Sequence, residues 1–377
     1  MMRAMPFSSL HVLLRVFAKS VALLLIANVV CLASGLDPLA RLYTFNLWGL
    51  VGHGRPRLYD LHDNGVDPLP VEAMLASHAI AYTPKAPDEY RVVVLGDSAI
   101  LGWNLPEDQH VSAQLTAHGL RINGKRLTAY NLAYPHPNWA KDVLILDAAL
   151  RYQPDLIIWF ITMIADENAQ DTASTNPIWN VNRARLRQLA REYGLHDWYN
   201  ARMLPEPAWC TWIAICAPES FLAWSRAFTY PFIETRWDYT QSSRIGSAPI
   251  PARARHVIGE PSSGDQFPND NVSFLSVGQT MANKANVALL YVNEPILIGS
   301  GPNSDVNYNY YYERALYDFN RRFIADAMRS RQAWYLDLWN AIPKERFTDT
   351  AIHMDAAGWK VVADRIALEL DRLGVQR

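Results

Sequence analysis

The sequence predicts an α/β protein of three layers, in which helices cover both faces of a parallel five-stranded sheet. Five short apolar runs alternate with stretches whose apolar residues recur at helical spacing. Strands that are apolar along their whole length are typical of parallel sheets, because helical connections bury both of their faces. The 377 residues are enough for one large domain of this kind.

The predicted elements follow one another after a polar N-terminal region. The strands are expected at residues 91–98, 126–133, 155–162, 286–295 and 334–339. The helices are expected at residues 139–153, 182–193, 309–330 and 356–374. Residues 165–285 break the alternation. We interpret them as an insertion between the third and fourth strands, which would overhang the carboxyl edge of the sheet where ligands bind.

The N-terminal residues predict a membrane anchor. Residues 1–20 carry Arg3, Arg15 and Lys19 but no acidic residue, and residues 21–36 carry no charge. A basic flank favours the cytoplasmic side, so the rest of the chain is expected outside the cytoplasm. The alternative is a cleaved signal peptide, since small residues at 33–35 resemble a cleavage site.

The same pattern gives the predicted domain organisation. Residues 1–52 are expected to form a single-pass transmembrane helix and an interfacial segment, residues 53–89 a linker, and residues 90–377 one α/β domain. The location is therefore predicted as periplasmic or at the cell surface, with the membrane as a partner.

Composition excludes several classes of function. The formal charge of −2 and the lack of a basic stripe exclude a nucleic-acid partner. No glycine pattern predicts a nucleotide cofactor, and the three cysteines lack the spacing of a zinc site. No cofactor and no metal are therefore expected. Cys210 and Cys216 predict either a disulfide or two buried thiols.

The strongest functional motif is a Gly-Asp-Ser tripeptide at the end of the first apolar run. Gly96, Asp97 and Ser98 follow four apolar residues. Gly96 permits a tight turn, which presents the serine hydroxyl at the carboxyl edge of a central strand. The amide of Ser98 is then free to face a developing oxyanion. The alternative is that Ser98 only caps the next helix.

A second motif lies near the C-terminus. Asp349 and His353 precede the last predicted helix, for which Asp355 is the expected N-cap. A serine nucleophile requires a base within hydrogen-bond reach, and that base requires a carboxylate to hold its tautomer. We therefore expect His353 to meet Ser98 in the folded chain, with Asp349 behind it.

This pairing of motifs resembles the SGNH/GDSL hydrolase superfamily. The resemblance covers roughly residues 90–165 and 286–375. It implies a three-layer, flavodoxin-like fold, no metal, and a triad with Ser98 as nucleophile, His353 as general base and Asp349 as orienting acid. The family usually places the acid three residues before the histidine, whereas here the spacing is four.

Two departures from the family concern the oxyanion. The family's donor glycine after the second strand is replaced by Ala133, whose backbone amide can still serve. In the third block, Thr162 takes the glycine place and Ile164 the place of the donor asparagine. Losing one such donor costs about 3 kcal/mol of transition-state stabilisation. The residues expected to line the site are Asp97, Asn138, Thr162 and Asn168, and of these Thr162, Asn168 and Asn138 are the candidates to compensate for the missing donor.

Membrane-bound relatives that lack this asparagine include O-acyltransferases of cell-envelope polymers. The resemblance therefore implies acyl transfer through Ser98 to an envelope glycan, with a membrane-embedded protein as possible acyl donor. A tethered esterase for a carbohydrate or lipid is the first alternative, and a non-catalytic binding module is the second. Glu294 is expected to end a strand at the rim of the site without a catalytic role.

Overall fold

The structure is a computed structural model. It describes residues 7–33, 57–58, 71–163, 178–203 and 269–372, apart from short gaps at 77, 104, 136, 180–181, 301–302 and 310. Several predictions lie outside the described residues. They concern the interfacial segment 38–52, most of the insertion 165–285, Ile164, Asn168, and the pair Cys210 and Cys216.

Helices and strands alternate along the described chain. The helices are α1 (Phe7–Ala33), α2 (Val71–Ala76), α3 (Ala79–Tyr82), α4 (Ser98–Leu101), α5 (Val111–Ala117), α6 (Trp139–Ala149), α7 (Arg183–Tyr193), α8 (His196–Arg202), α9 (Asn269–Lys284), α10 (Arg314–Ser330) and α11 (Ala356–Arg372). The strands are β1 (Glu89–Leu95), β2 (Arg121–Ile122), β3 (Lys125–Asn131), β4 (Leu156–Ile161), β5 (Ala288–Asn293) and β6 (Trp334–Asp337).

The strands form one sheet in the order β2-β3-β1-β4-β5-β6. The chain passes from β1 to β3 on one side and then returns past β1 to β4 on the other side. Neighbouring strands from β3 to β6 are parallel, so the five predicted strands are present in parallel register. The reversal of strand order at β1 opens a crevice at its carboxyl end, which is the usual ligand position in such sheets.

The prediction of a purely parallel five-stranded sheet is wrong, because β2 adds a sixth, antiparallel strand beside β3. The two are joined by Asn123 and Gly124, whose φ angles of 52° and 78° suit a tight hairpin turn. Only two residues of β2 pair with β3. A strand this short has no apolar run by which the sequence could reveal it.

The core lies on both faces of β4, whose six residues are all buried. On one face, Trp159 packs so closely against α9 that a Cβ added at Gly278 would lie 2.4 Å from the indole ring. On the other face, Phe160 packs edge to face against Trp359 of α11, with 6.1 Å between the ring centroids. Helices α6 and α9 pack together, as do α5 and α11, which gives the predicted three layers.

The segment predicted as a linker contributes to this core. Helices α2 and α3 lie within it, and α2 packs against α6. The side chains of Leu58, Leu75 and Ile80 are almost completely buried. The α/β domain therefore includes residues upstream of the predicted boundary at residue 90.

The apolar N-terminal stretch forms α1, a helix of 27 residues. Within the part of the chain that is described, no helix has both the length and the apolar character needed to cross a membrane. The predicted transmembrane helix is therefore not found.

Candidate active site

The Gly-Asp-Ser motif forms a tight turn between β1 and α4. A Cβ added at Gly96, whose φ is 158°, would lie 2.4 Å from Ile100, so this turn has no room for a side chain. Asp97 is the N-cap of α4, and its Oδ1 accepts a hydrogen bond from the Ala99 N–H at 2.8 Å. Ser98 is the first residue of α4, so its N–H has no acceptor within the helix. The predicted oxyanion role of that amide is compatible with this geometry.

The three predicted catalytic residues lie together. The Oγ of Ser98 is 2.9 Å from Nε2 of His353. The other ring nitrogen of His353, Nδ1, is 3.0 Å from Oδ1 of Asp349. Ser98 is partly exposed and His353 is buried. A hydroxyl, an imidazole and a carboxylate are thus in hydrogen-bonded series, with the hydroxyl at the open end.

The four-residue spacing between Asp349 and His353 is accommodated by Thr350. Its Oγ1 accepts hydrogen bonds from the backbone N–H of His353 at 2.9 Å and of Ile352 at 3.3 Å. A bridge between Phe347 and Met354 closes the segment, which we call the base loop (347–354). The extra residue relative to the family pattern is absorbed inside this closed loop.

The electrostatics of the base loop favour an ionised Asp349. Burial raises the pKa of its carboxyl group, but hydrogen bonding and charge interaction with His353 outweigh burial and leave the pKa below its ordinary value. The Thr348 hydroxyl also donates to Asp349 Oδ1, at 3.0 Å. An ionised carboxylate accepts the Nδ1–H of the imidazole, which leaves Nε2 free to accept a proton.

An aromatic residue that the sequence did not single out lies beside the base. The indole ring of Trp103 stacks with the His353 ring, with 6.4 Å between centroids and 26° between planes. Trp103 is partly exposed, so it forms a wall next to the catalytic imidazole. Only its position five residues after Ser98 could have suggested this contact.

The predicted backbone donor Ala133 already has a partner. Its N–H donates to Oδ1 of Asn131 at 3.1 Å, and the next amide, of Tyr134, donates to the Gly96 carbonyl at 3.1 Å. Pro135 follows and has no N–H. In this conformation Ala133, Tyr134 and Pro135, in the loop after β3, give no unengaged amide to an oxyanion.

Three of the four residues predicted to line the site, Asp97, Asn138 and Thr162, are buried. Thr162 is buried and its hydroxyl donates to Oδ2 of Asp97 at 2.8 Å. Asp97 is also buried. Asn138 is the N-cap of α6, where its Oδ1 accepts from the Lys141 N–H at 3.0 Å. These three side chains support the nucleophile turn and the neighbouring helix.

Ionisable groups that sequence reasoning missed are buried under the turn. The side chains of Lys141 and Asp142 form an ion pair at 2.9 Å, and both are almost fully buried. Burial raises the pKa of Asp142 to about 6, although the Lys141 charge opposes this. Glu294 was expected at the site rim, but it is 1% exposed. Burial, reinforced by the charge of Asp97, holds the pKa of Glu294 well above its usual value.

The far side of α4 is held by Asn131. Its Nδ2 donates to the carbonyl oxygens of Ile100 and Leu101 at 3.0 and 3.3 Å. Arg57 adds a bond to the Gly102 carbonyl at 3.2 Å. The turn that carries Ser98 is therefore fixed by residues from several distant parts of the chain.

A cavity of about 750 Å³ lies between the end of α7, α9 and α10, and it contains none of the predicted site residues. Over the described residues, no group of three or more histidine, cysteine, aspartate or glutamate side chains could hold a metal ion.

Comparison with known proteins gives structural similarity only. No protein-family model and no curated protein matches the sequence. A protein assigned as an arylesterase from Agrobacterium tumefaciens shares 10% identity over 75% of this chain and 98% of its own, with a TM-score of 0.37. The aryl esterase of M. smegmatis also shares 10% identity, over 75% and 99%, with a TM-score of 0.34.

A family two carbohydrate esterase from Clostridium thermocellum shares 9% identity over 77% of this chain and 66% of its own, with a TM-score of 0.32. All three TM-scores are below 0.5. The assignment of the site therefore rests on the geometry of this chain.

Proposed function

We propose that this chain is a serine-dependent enzyme that acts on acyl esters through an acyl-Ser98 intermediate. One observation carries the proposal: the continuous series from Ser98 Oγ to His353 at 2.9 Å and from His353 to Asp349 at 3.0 Å. A serine in contact with a base that is itself oriented by a carboxylate is the arrangement that activates a hydroxyl for nucleophilic attack.

The chemistry follows from these contacts. His353 Nε2 takes the proton as Ser98 Oγ attacks the ester carbonyl carbon, and the carbonyl oxygen becomes negative in the tetrahedral intermediate. The intermediate collapses, the alcohol leaves with the proton from His353, and Ser98 keeps the acyl group. Water then attacks the acyl carbon with His353 as base, which releases the carboxylic acid and restores the Ser98 hydroxyl.

A fluorophosphonate probe tests this proposal directly. The purified full chain should be labelled at Ser98, and p-nitrophenyl acetate should be hydrolysed. Ser98→Ala should abolish labelling and lower turnover by at least about 10³-fold. Ser330→Ala is the matched control, because Ser330 is exposed at the end of α10. A folded wild-type chain that neither reacts with the probe nor turns over would favour the binding module instead.

Acyl transfer to a glycan hydroxyl is a second candidate. The partly exposed ring of Trp103 beside His353 favours it, because aromatic faces pack against the apolar faces of sugar rings. A sugar hydroxyl bound there would replace water as the group that attacks acyl-Ser98, and it would lose its proton to His353.

Acceptor dependence separates transfer from hydrolysis. With p-nitrophenyl acetate as donor, a transferase should release p-nitrophenol faster when an oligosaccharide acceptor is added, and the acetylated sugar should be found by mass spectrometry. Trp103→Ala should lose most of this acceleration while it retains hydrolysis. Fast hydrolysis that no acceptor changes would contradict transfer and leave the esterase.

A location outside the cytoplasm remains a further proposal. It is supported by the basic residues of the N-terminus and by the exposed apolar side chains of α1, among them Leu13, Phe17 and Leu24. A reporter enzyme that is active only outside the cytoplasm, fused after Arg377, should be active in cells. Activity of a cytoplasm-specific reporter at the same position would contradict the proposal.

A further inference from the structure

A buried lysine lies directly beneath the nucleophile turn. Nζ of Lys141 is 2.8 Å from the Gly96 carbonyl oxygen, 2.8 Å from the Tyr134 carbonyl oxygen and 2.9 Å from Oδ1 of Asp142. Its side chain is only 1% exposed. These three acceptor oxygens hold the ammonium group in one position, because the two carbonyls accept its hydrogen bonds and the Asp142 carboxylate pairs with its charge.

The three acceptors belong to three different parts of the site. Gly96 lies in the turn two residues before Ser98, and Tyr134 lies in the loop that follows β3. The Gly96 carbonyl also accepts the Tyr134 N–H at 3.1 Å. Turn and loop are thus joined both directly and through Lys141, which is held in place by α6.

The surroundings of Lys141 are rich in carboxyl groups. Asp142 is its neighbour on α6, where it also accepts from the indole N–H of Trp159 at 3.0 Å. Asp97 and Glu294 are buried at the ends of β1 and β5. Among these described groups Lys141 is the cation, and its charge offsets the negative charge of the two aspartates.

We propose that Lys141 is a positioning residue of the active site: its ammonium group fixes the nucleophile turn against the loop after β3, and so holds the hydroxyl and the amide of Ser98 in one geometry. This inference rests on the proposed function, because that geometry matters only if Ser98 attacks an acyl carbon. Groups that are fixed before the reaction stabilise its transition state without any rearrangement during the reaction.

The test uses a substitution that removes the charge without unbalancing the interior. Lys141→Met/Asp142→Asn replaces the ion pair by two neutral side chains of similar size, and the asparagine can still accept from Trp159. Leu146→Met is the matched control, because Leu146 is buried on the same helix. The full chain is assayed with p-nitrophenyl acetate and with the fluorophosphonate, and its melting temperature is recorded.

We expect the double variant to melt close to the control, with KM within twofold of wild type. Its kcat and its rate of Ser98 labelling should fall roughly 10- to 100-fold, which is less than the effect of removing a direct oxyanion donor. A purely structural role would lower the melting temperature and leave the kcat of the folded fraction unchanged. A folded double variant with kcat within threefold of wild type would overturn the proposal.

Two further outcomes are distinguishable. If the double variant does not fold, Lys141→Gln, whose shorter side chain holds the two carbonyl oxygens less closely, should show a fall in kcat in the same direction at constant KM. Failure of both variants to fold would assign Lys141 to the core and overturn a positioning role. A wild-type chain that the probe does not label overturns the proposed function itself, and this inference with it.

Discussion

The two halves of the site are built in opposite ways. The nucleophile turn (96–102) is fixed by residues far away in the sequence: Asn131 is 31 positions from Ile100, Arg57 is 45 from Gly102, and Thr162 is 65 from Asp97. In the base loop, His353 is fixed by neighbours in sequence, since it bonds to side chains three and four positions before it. The loop accepts one distant backbone bond, from the Leu297 N–H to the Ala351 carbonyl at 2.8 Å.

This difference predicts how each half responds to mutation. The contacts of the nucleophile turn exist only when the whole sheet has formed, so they should contribute to global stability. The side-chain contacts of Asp349 and Thr350 are local and both residues are only partly buried, so changes to them should alter activity more than stability. The following predictions test that division, from the largest expected effect to the smallest.

Removing the base or its carboxylate should give the largest change, and it should be confined to activity. His353→Ala and Asp349→Asn should lower kcat by about 10³- to 10⁴-fold, because the imidazole is lost or held in the wrong tautomer. Steady-state kinetics and thermal melts of both variants provide the measurement. A fall in melting temperature of more than about 8 °C would contradict the independence of the base loop.

Asn131→Leu should give the largest loss of stability. The leucine would leave the carbonyls of Ile100 and Leu101 and the amide of Ala133 without their buried partner. Each unpaired buried group costs about 1–3 kcal/mol, so we expect at least about 3 kcal/mol in urea unfolding. Asn340→Leu, at an exposed position, is the control and should change stability little. Equal stability of the two variants would show that the turn does not depend on Asn131.

Acidic pH should lower the stability of the folded chain through His110, the N-cap of α5. Burial, with the charges of Arg57 and His78, lowers the pKa of His110 to about 3 from 6.5. Below pH 6.5 the unfolded chain therefore binds a proton that the folded chain does not, and stability falls by about 1.4 kcal/mol per pH unit until pH 3. The imidazole Nδ1 accepts from Ser112 and from the Ala113 N–H, so the neutral ring is the one that fits.

The comparison with His110→Asn measures this contribution. Asparagine retains a side-chain oxygen for the N-cap but does not titrate. Between pH 7 and pH 5, wild type should lose about 2 kcal/mol more stability in urea than the variant does. Parallel losses in the two proteins would mean that His110 is already charged in the folded chain.

Thr350→Ala should have the smallest effect. It removes the acceptor of the His353 and Ile352 backbone amides, and Thr350 itself is partly exposed. We expect a cost of about 1 kcal/mol in stability and a fall in kcat of less than tenfold, because Asp349 still holds the ring. Thr350→Ser, which keeps the hydroxyl, should restore both values. A loss as large as that of Asp349→Asn would instead place Thr350 among the essential supports of the base.

The same division explains what the sequence could predict. Asp349 and His353 are close in sequence, and a serine after a buried strand has a readable motif, so their meeting could be expected. Lys141 and Asn131 act only through contacts with residues that the sheet brings near. Nothing in the sequence around Lys141 distinguishes it from a solvent-exposed lysine of an amphipathic helix.

The errors of prediction have related causes. Ala133 was placed by position in a motif, whereas its amide is engaged by a side chain two residues before it. Thr162 and Asp97 were expected to line the site because they end strands, but their hydrogen bond to each other turns them inward. The fold was predicted more fully, because alternating apolar runs report directly on strands that are buried on both faces.

The two-residue strand β2 has a consequence for how copies of this chain behave towards one another. It occupies one border of the sheet, and the turn through Asn123 and Gly124 folds it straight back onto β3. An edge strand this short, with the cationic Arg121 exposed on it, offers a second molecule very few backbone N–H and C=O groups for strand pairing. The chain is thereby protected on that side against aggregation by strand addition.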